Sequence, residues 1–192
     1  MSHFQTYLLL GFQHIMNWQA LDHIVFILAI SCIFGWKDIK QLLWLVTAFT
    51  VGHSITLALA TLGSISIDVA WIEFLIPCTI LIRAVQNLRF KEMKKRKTSA
   101  MPYFTVIFFG LIHGLGFSNY LQSLLGKELS ITVPLFAFNI GLELGQLIIV
   151  SLVLLLTSTI LYLTNVKRKH YVWVVSGIVI GLVLPMLIER IP

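Results

Sequence analysis

Long apolar runs separated by short polar breaks form the pattern of this chain from residue 20 to residue 189. The runs lack the two-residue alternation of half-buried strands, and they are longer than the strands of a sheet. About 20 apolar residues in a helix cross the hydrocarbon core of a bilayer. The pattern therefore predicts six membrane-spanning helices, over residues 20–36, 41–62, 68–89, 103–125, 132–163 and 171–189.

A separate apolar segment covers residues 4–16 and includes His14. With a rise of about 1.5 Å per residue, it is too short to cross a bilayer squarely. It has no basic start and no small-residue cleavage site, so it does not read as a signal peptide. We expect a short helix that re-enters the membrane or lies at its surface. Residues 1–192 then form one all-α polytopic transmembrane domain.

The composition supports a membrane protein. Hydrophobic residues make up 58% of the chain and charged residues 11%, against about 25% charged residues in soluble domains. A soluble fold this apolar could not cover its surface with polar groups. The net charge of +6 then reports membrane orientation and contact with anionic lipid, so the expected partner is the lipid bilayer and not nucleic acid. A homo-oligomer is left open.

Basic residues predict the orientation of the chain. Most Lys and Arg residues fall in the first, third and fifth predicted loops, over residues 37–40, 89–101 and 165–170. Six spans place these three loops on one side of the membrane. The positive-inside rule assigns that side to the cytoplasm, so both ends of the six-span core are expected outside.

Six histidine or acidic side chains lie within the apolar runs. A charge near the bilayer centre costs about 2.5 kcal/mol or more, so such groups face a bundle interior and have a partner or a ligand. Counting residues along each span predicts two levels, an outer one that leads to a midplane one. The outer level contains Asp22, His23 and Glu73, and the midplane level contains His53, His113 and Glu143.

Further polar residues accompany the midplane level. Asn139, Glu143 and Gln146 share one stripe of the fifth span, at i, i+4 and i+7. Ser54 follows His53 on the second span; its hydroxyl either satisfies a backbone carbonyl or lines a hydrophilic path. We predict that Ser54, Asn139 and Gln146 line a pathway.

Imidazole and carboxylate groups together suit divalent nickel, cobalt or zinc, as substrate or bound ion, without an organic cofactor. The ligands must be deprotonated, so binding is expected to release protons. Glu143 would stay ionised beside a cation and take up a proton without one, which fits protons as a coupling ion. For single residues other roles stay open: Asp22 also fits a helix N-cap, and His14 fits either a ligand or an interfacial polar group.

The pattern fits several functions. The leading one is a secondary transporter for a transition-metal dication. An intramembrane zinc hydrolase would hold the metal with three ligands and use Glu143 or Glu73 as the general base. A haem subunit would use His53 and His113 as axial ligands, and a non-transporting accessory protein would only bind metal. Few polar residues lie on the cytoplasmic side of His113 and Glu143, which counts against transport.

Several motifs resemble the HupE/UreJ family of bacterial inner-membrane proteins: GFQHIMNWQALDHIVF, TAFTVGHSITL, FGLIHGLGF and FNIGLELGQ, with the helix of Glu73. The resemblance implies six spans, the bacterial inner membrane, and a permease for nickel or a related metal. Where nickel permeases have His-x5-Asp-His, this chain has His14-x7-Asp22-His23, which changes the direction in which His14 points. The metal-handling positions that the resemblance implies are His14, Asp22, His23, His53, Glu73, His113 and Glu143.

Overall fold

The computed structural model describes residues 2–18, 21–65, 67–90, 100–125 and 131–192. All regular structure in these ranges is helical, which confirms the predicted all-α class. A short 3-10 turn, Trp36–Asp38, precedes the third helix. The helices are α1 His3–Met16, α2 Asp22–Ser31, α3 Ile39–Thr61, α4 Val69–Leu88, α5 Met101–Gly116, α6 Ser118–Leu125, α7 Thr132–Thr164 and α8 Arg168–Glu189.

Within the described ranges, four helices are long and apolar enough to cross a membrane: α3 with its preceding turn, α4, α7 and α8. A fifth crossing results if α5 and α6, which meet at a bend of 50°, count as one. The predicted span over 20–36 contains only α2, whose 10 residues reach about half-way across a bilayer. The chain is therefore a helical membrane protein, but the predicted count of six continuous spans is not confirmed.

The predicted N-terminal segment is the helix α1. Its first turn is a capping box, in which the Ser2 hydroxyl accepts a hydrogen bond from the Gln5 N–H and the Gln5 side chain accepts one from the Ser2 N–H. Its buried residues, Tyr7, Gly11 and Ile15, mark one face. Because this face packs along α7, α1 belongs to the bundle.

Glycines set the two closest helix contacts of the bundle. A Cβ at Gly141 would collide with the Leu8 carbonyl, and one at Gly145 would press on Ile15. Residues farther along α1 therefore contact residues farther along α7, so the two helices run parallel. Small residues permit this approach of backbones. By contrast, the third glycine pair, Gly177 and Gly181, has open space around it.

A second parallel pair consists of α3 and α5. Added Cβ atoms at Gly110 and Gly114 would meet the carbonyl oxygens of Phe49 and His53, respectively. Gly52 of α3 lies equally close to the backbone of α5. Since α4 must return between these helices, their parallel directions agree with the alternating course predicted from the sequence.

Several helix ends meet at one end of the bundle, which we call the basic end. The Arg168 guanidinium lies against Gly35, and the Trp173 indole N–H donates to the Leu88 carbonyl at 2.9 Å. Two of the predicted basic loops, residues 37–40 and 165–170, are therefore neighbours. Most of the third, residues 91–99 of the loop 89–101, lies outside the described residues.

Candidate metal centre

Four histidines from four helices meet inside the bundle. His14 of α1 lies 4.7 Å from His23 of α2 between ring centroids, and 5.9 Å from His53 of α3. His23 is 6.0 Å from His53 and 5.2 Å from His113 of α5. The structure thus brings together residues that are separated by up to about a hundred positions in the chain. We call these four residues the histidine cluster.

Three members of the cluster are arranged as metal ligands would be. One ring nitrogen each of His14, His23 and His53 lies within 4.8 Å of the other two. Metal–imidazole bonds of about 2.1 Å place two ligand atoms on one ion up to about 4.2 Å apart. Small side-chain rotations would therefore suffice to place all three nitrogens on a common ion.

The buried nitrogens of the cluster lack hydrogen-bond partners. His53 is 0% exposed and His113 is 1% exposed. Neither ring nitrogen of His23 or His53 has a partner in the described part of the chain, nor has His14 Nε2 or His113 Nδ1. Buried polar atoms are nearly always paired, and leaving one unpaired costs about 1–3 kcal/mol. Such a concentration of unpaired nitrogens indicates a ligand site.

A hydroxyl group orients His113. The Thr79 hydroxyl of α4 donates its proton to the Ile76 carbonyl at 2.7 Å and lies 3.2 Å from His113 Nε2. Because that proton is used, the Thr79 oxygen accepts, and Nε2 of His113 carries the hydrogen. Nδ1 of His113 then keeps its lone pair. This arrangement matches the outer hydrogen bonds that orient metal-binding histidines.

The histidine cluster is enclosed by aromatic rings. The ring centroid of Phe117 is 4.1 Å from that of His14, and Phe138 stacks on His53 at 6.4 Å. Phe26 and Phe49 cover His113 at 5.2 and 5.1 Å. The close approach of α5 to α3 at Gly110 and Gly114 brings His113 into this enclosure. Apolar walls keep the imidazoles away from bulk water and strengthen their attraction for a cation.

A cavity of about 530 Å³ opens on the His14 side of the cluster. Polar or polarisable side chains of α1 line it, together with Tyr120 of α6. A neighbouring cavity of about 230 Å³ shares part of this wall and continues toward Thr6. The lining residues of the larger cavity are Leu10, Gln13, His14, Met16, Asn17, Phe117 and Tyr120. We call this cavity the vestibule.

Asp22 has a partner that the sequence did not suggest. Nη1 of Arg190, at the end of α8, lies 3.2 Å from both carboxylate oxygens of Asp22. The alternative role of Asp22 as a helix N-cap is wrong, because Leu21 occupies the N-cap position and α2 starts at Asp22 itself. No sequence pattern links these residues, which are 168 positions apart.

Two predicted residues of α7, Glu143 and Gln146, bond to α3 on the basic-end side of His53. The Glu143 carboxylate accepts a hydrogen bond from Thr47 at 2.7 Å, and the Gln146 side-chain oxygen accepts one from Thr50 at 2.8 Å. These four residues form what we call the oxygen seam. Thr50 and Thr47 precede His53 by about one and two helical turns, or about 4.5 and 9 Å of rise. Polar groups thus continue from the cluster toward the basic end.

Other predicted residues are placed less centrally. Ser54 donates to the Thr50 carbonyl at 2.7 Å, so its hydroxyl satisfies the backbone. The Asn139 side-chain oxygen is buried and has no hydrogen-bond partner among the residues that the structure describes. Glu73 is exposed on α4, and its role as a ligand stays a prediction. The expected division into two levels is wrong for His23, which packs against His113 of the other level.

Comparison with protein families gives a match over nearly the whole chain. The family model described as "HupE / UreJ protein" matches residues 1–190, which is nearly the whole chain. Among curated proteins nothing matches, and no solved structure matches either.

Proposed function

The chain belongs to the HupE/UreJ family, and from that premise we propose that it is a permease for a divalent transition-metal cation, with nickel or cobalt as the first candidates. One observation carries the proposal: buried, unpaired nitrogens of His14, His23 and His53 converge from three helices. Neutral imidazoles bind nickel, cobalt and zinc well, whereas magnesium and calcium prefer oxygen ligands. The site therefore favours transition metals over the abundant alkaline-earth ions.

Polar groups on both sides of the cluster support transport. The vestibule reaches His14 from one side, and the oxygen seam extends toward the basic end from the other. An ion would pass from water to imidazoles and then to oxygen ligands, which bind these metals less tightly. Thr47 and Thr50 supply part of the inner route that the sequence seemed to lack.

The helix directions support a crossing made of two parts. α1 runs parallel to α7, whose end leads into the basic end. From His23 onward, α2 also runs toward the basic end. There the side chain of Asn87, near the end of α4, donates a hydrogen bond to the Ala29 carbonyl at 2.6 Å. We therefore take α1 and α2 as one interrupted crossing, which together with the bent α5–α6 pair gives six. Broken helices line the binding sites of many transporters in this way.

The orientation of the chain follows from these six crossings and from the positions of the basic loops. With the basic loops in the cytoplasm, the vestibule faces the outside of the bacterial inner membrane and the oxygen seam faces the cytoplasm. Cargo would then move inward. Glu143 lies within this inner route, where a proton would serve as the coupling ion. A hydrolase is less well supported, because Glu73 is exposed and Glu143 bonds to Thr47, so neither carboxylate joins the histidine cluster as a base.

Reconstituted protein tests the proposal. We expect nickel or cobalt to accumulate in liposomes that contain the wild-type chain, and the His53→Ala variant to lose both uptake and bound metal. The matched control is His170→Ala, since His170 is exposed at the start of α8. Uptake equal to that of empty liposomes would refute the permease. Zinc that survives chelation, with no uptake, would favour a resident metal instead.

A further inference from the structure

The ion pair between Asp22 and Arg190 is the described ion pair nearest in sequence to the histidine cluster. Asp22 is 8% exposed and directly precedes His23. No other carboxylate of the chain is adjacent in sequence to a cluster histidine. An ion bound by neutral imidazoles brings two positive charges into the bundle, and the single negative charge of Asp22 would offset part of them.

Helix ends favour both members of this pair. Asp22 is the first residue of α2, where the helix dipole stabilises a negative charge. Arg190 is the C-cap of α8, where the dipole stabilises a positive charge. Each charge of the pair therefore lies at the helix end that favours it, and the carboxylate is held by a cation that the chain itself supplies.

The geometry of the pair allows exchange. Both contacts to Asp22 come from the single nitrogen Nη1 of Arg190. The strongest arginine–carboxylate pairs use two nitrogens on two oxygens, which this pair does not. The Arg190 side chain is also 28% exposed, against 12% for that of Asp22. Arginine can therefore withdraw toward water while Asp22 stays in place at the start of α2, one residue before His23.

We infer that Arg190 is a tethered counter-ion that holds Asp22 in the metal-free protein and gives up this carboxylate when a divalent cation binds the histidine cluster. This inference rests on the proposed function and deepens it. Arg190 is then a positioning residue that sets affinity. By competing with the cargo for Asp22, it keeps the metal from binding so tightly that release becomes slow.

Metal titrations of the full chain in nanodiscs test this role. With nickel chloride as the probe, we expect Arg190→Gln to tighten binding about ten-fold, within the usual range of coupling between two sites. Asp22→Asn is expected to weaken binding, and the double variant to match Asp22→Asn. In liposomes, Arg190→Gln should lower both KM and the maximal uptake rate, a split that mere loss of folded protein does not produce.

Two further variants serve as controls for this test. Arg89→Gln is the matched control, since Arg89 is an exposed C-cap of α4, and it should leave binding unchanged. Arg190→Lys keeps the charge with a single donor group and should give an affinity between those of wild type and Arg190→Gln, even if the latter accumulates poorly. Unchanged or weaker binding in both Arg190 variants overturns the inference. Wild-type protein that binds no nickel refutes the proposed function itself.

Discussion

The hydrogen bond between Thr79 and His113 offers a sharp test of the metal centre. Replacing Thr79 by Val keeps nearly the same shape and removes the oxygen that accepts from His113 Nε2 at 3.2 Å. Thr79 is 3% exposed, so water cannot take the place of the hydroxyl. The His113 N–H would lose its partner, and the imidazole would be free to rotate or change tautomer.

The magnitude of the effect follows from the role of the bond. Loss of an outer hydrogen bond to a metal-binding histidine lowers metal affinity about 10- to 100-fold. The cost to folding is of similar size, because a buried N–H without a partner costs about 1–3 kcal/mol and a ten-fold change in affinity is about 1.4 kcal/mol. We therefore expect Thr79→Val to remain folded, with a modestly lower Tm, while its affinity for nickel falls by at least ten-fold.

Isothermal titration of nickel into the nanodisc-embedded variant measures this change. Thr105→Val is the control, because Thr105 is only partly buried on α5 and bonds only to the Met101 carbonyl among the described residues. If Thr79→Val bound nickel as tightly as Thr105→Val, then His113 would not be a ligand that Thr79 orients. The cluster would in that case act through His14, His23 and His53 alone.

Three other outcomes are expected. Gly110→Leu should lower Tm and abolish metal binding, because a side chain there meets the Phe49 backbone; a stable, metal-binding variant would contradict the proposed role of this contact. Nickel binding should be lost in acid, because a proton and a metal ion compete for the same imidazole nitrogens; nickel that stays bound to folded protein at about pH 3, where imidazoles are protonated, would exclude histidine ligands. Glu143→Gln should slow liposome uptake at least ten-fold while nickel affinity changes little, in contrast to Ser151→Ala on the exposed face of α7; equal uptake by the two variants would remove the oxygen seam from the route.

The apolar pattern predicted most of the helices, including the separate one over residues 4–16, but not the early end of α2 at Ser31. Long runs show where α3, α4, α7 and α8 lie, because hydropathy responds to burial in lipid. The segment between α1 and α2 is short and mixed in polarity, so counting residues treated His23 as the edge of a continuous span. Depth estimates assume straight helices, and for this reason His23 was placed too far from His113.

The partners of the acidic residues show a second limit of sequence analysis. Glu73 follows Ile72 on α4, and Ile72 is buried whereas Glu73 is exposed. One residue corresponds to a turn of about 100° around a helix, so a small error in the assumed face moves a carboxylate from the interior to the surface. Arg190 could not be found, because its pairing with Asp22 depends on how α8 and α2 pack.

The glycine contacts join helices in two tight pairs, which hold three of the four cluster histidines. His53 and His113 belong to the α3–α5 pair, and His14 belongs to the α1–α7 pair. Backbones this close leave little room for sliding within a pair, so each pair is expected to move as a rigid block. A rocking of one block against the other would pull His14 away from His53 and dismantle the coordination of the ion. Alternating access would then open the route and loosen the hold on the cargo in a single motion.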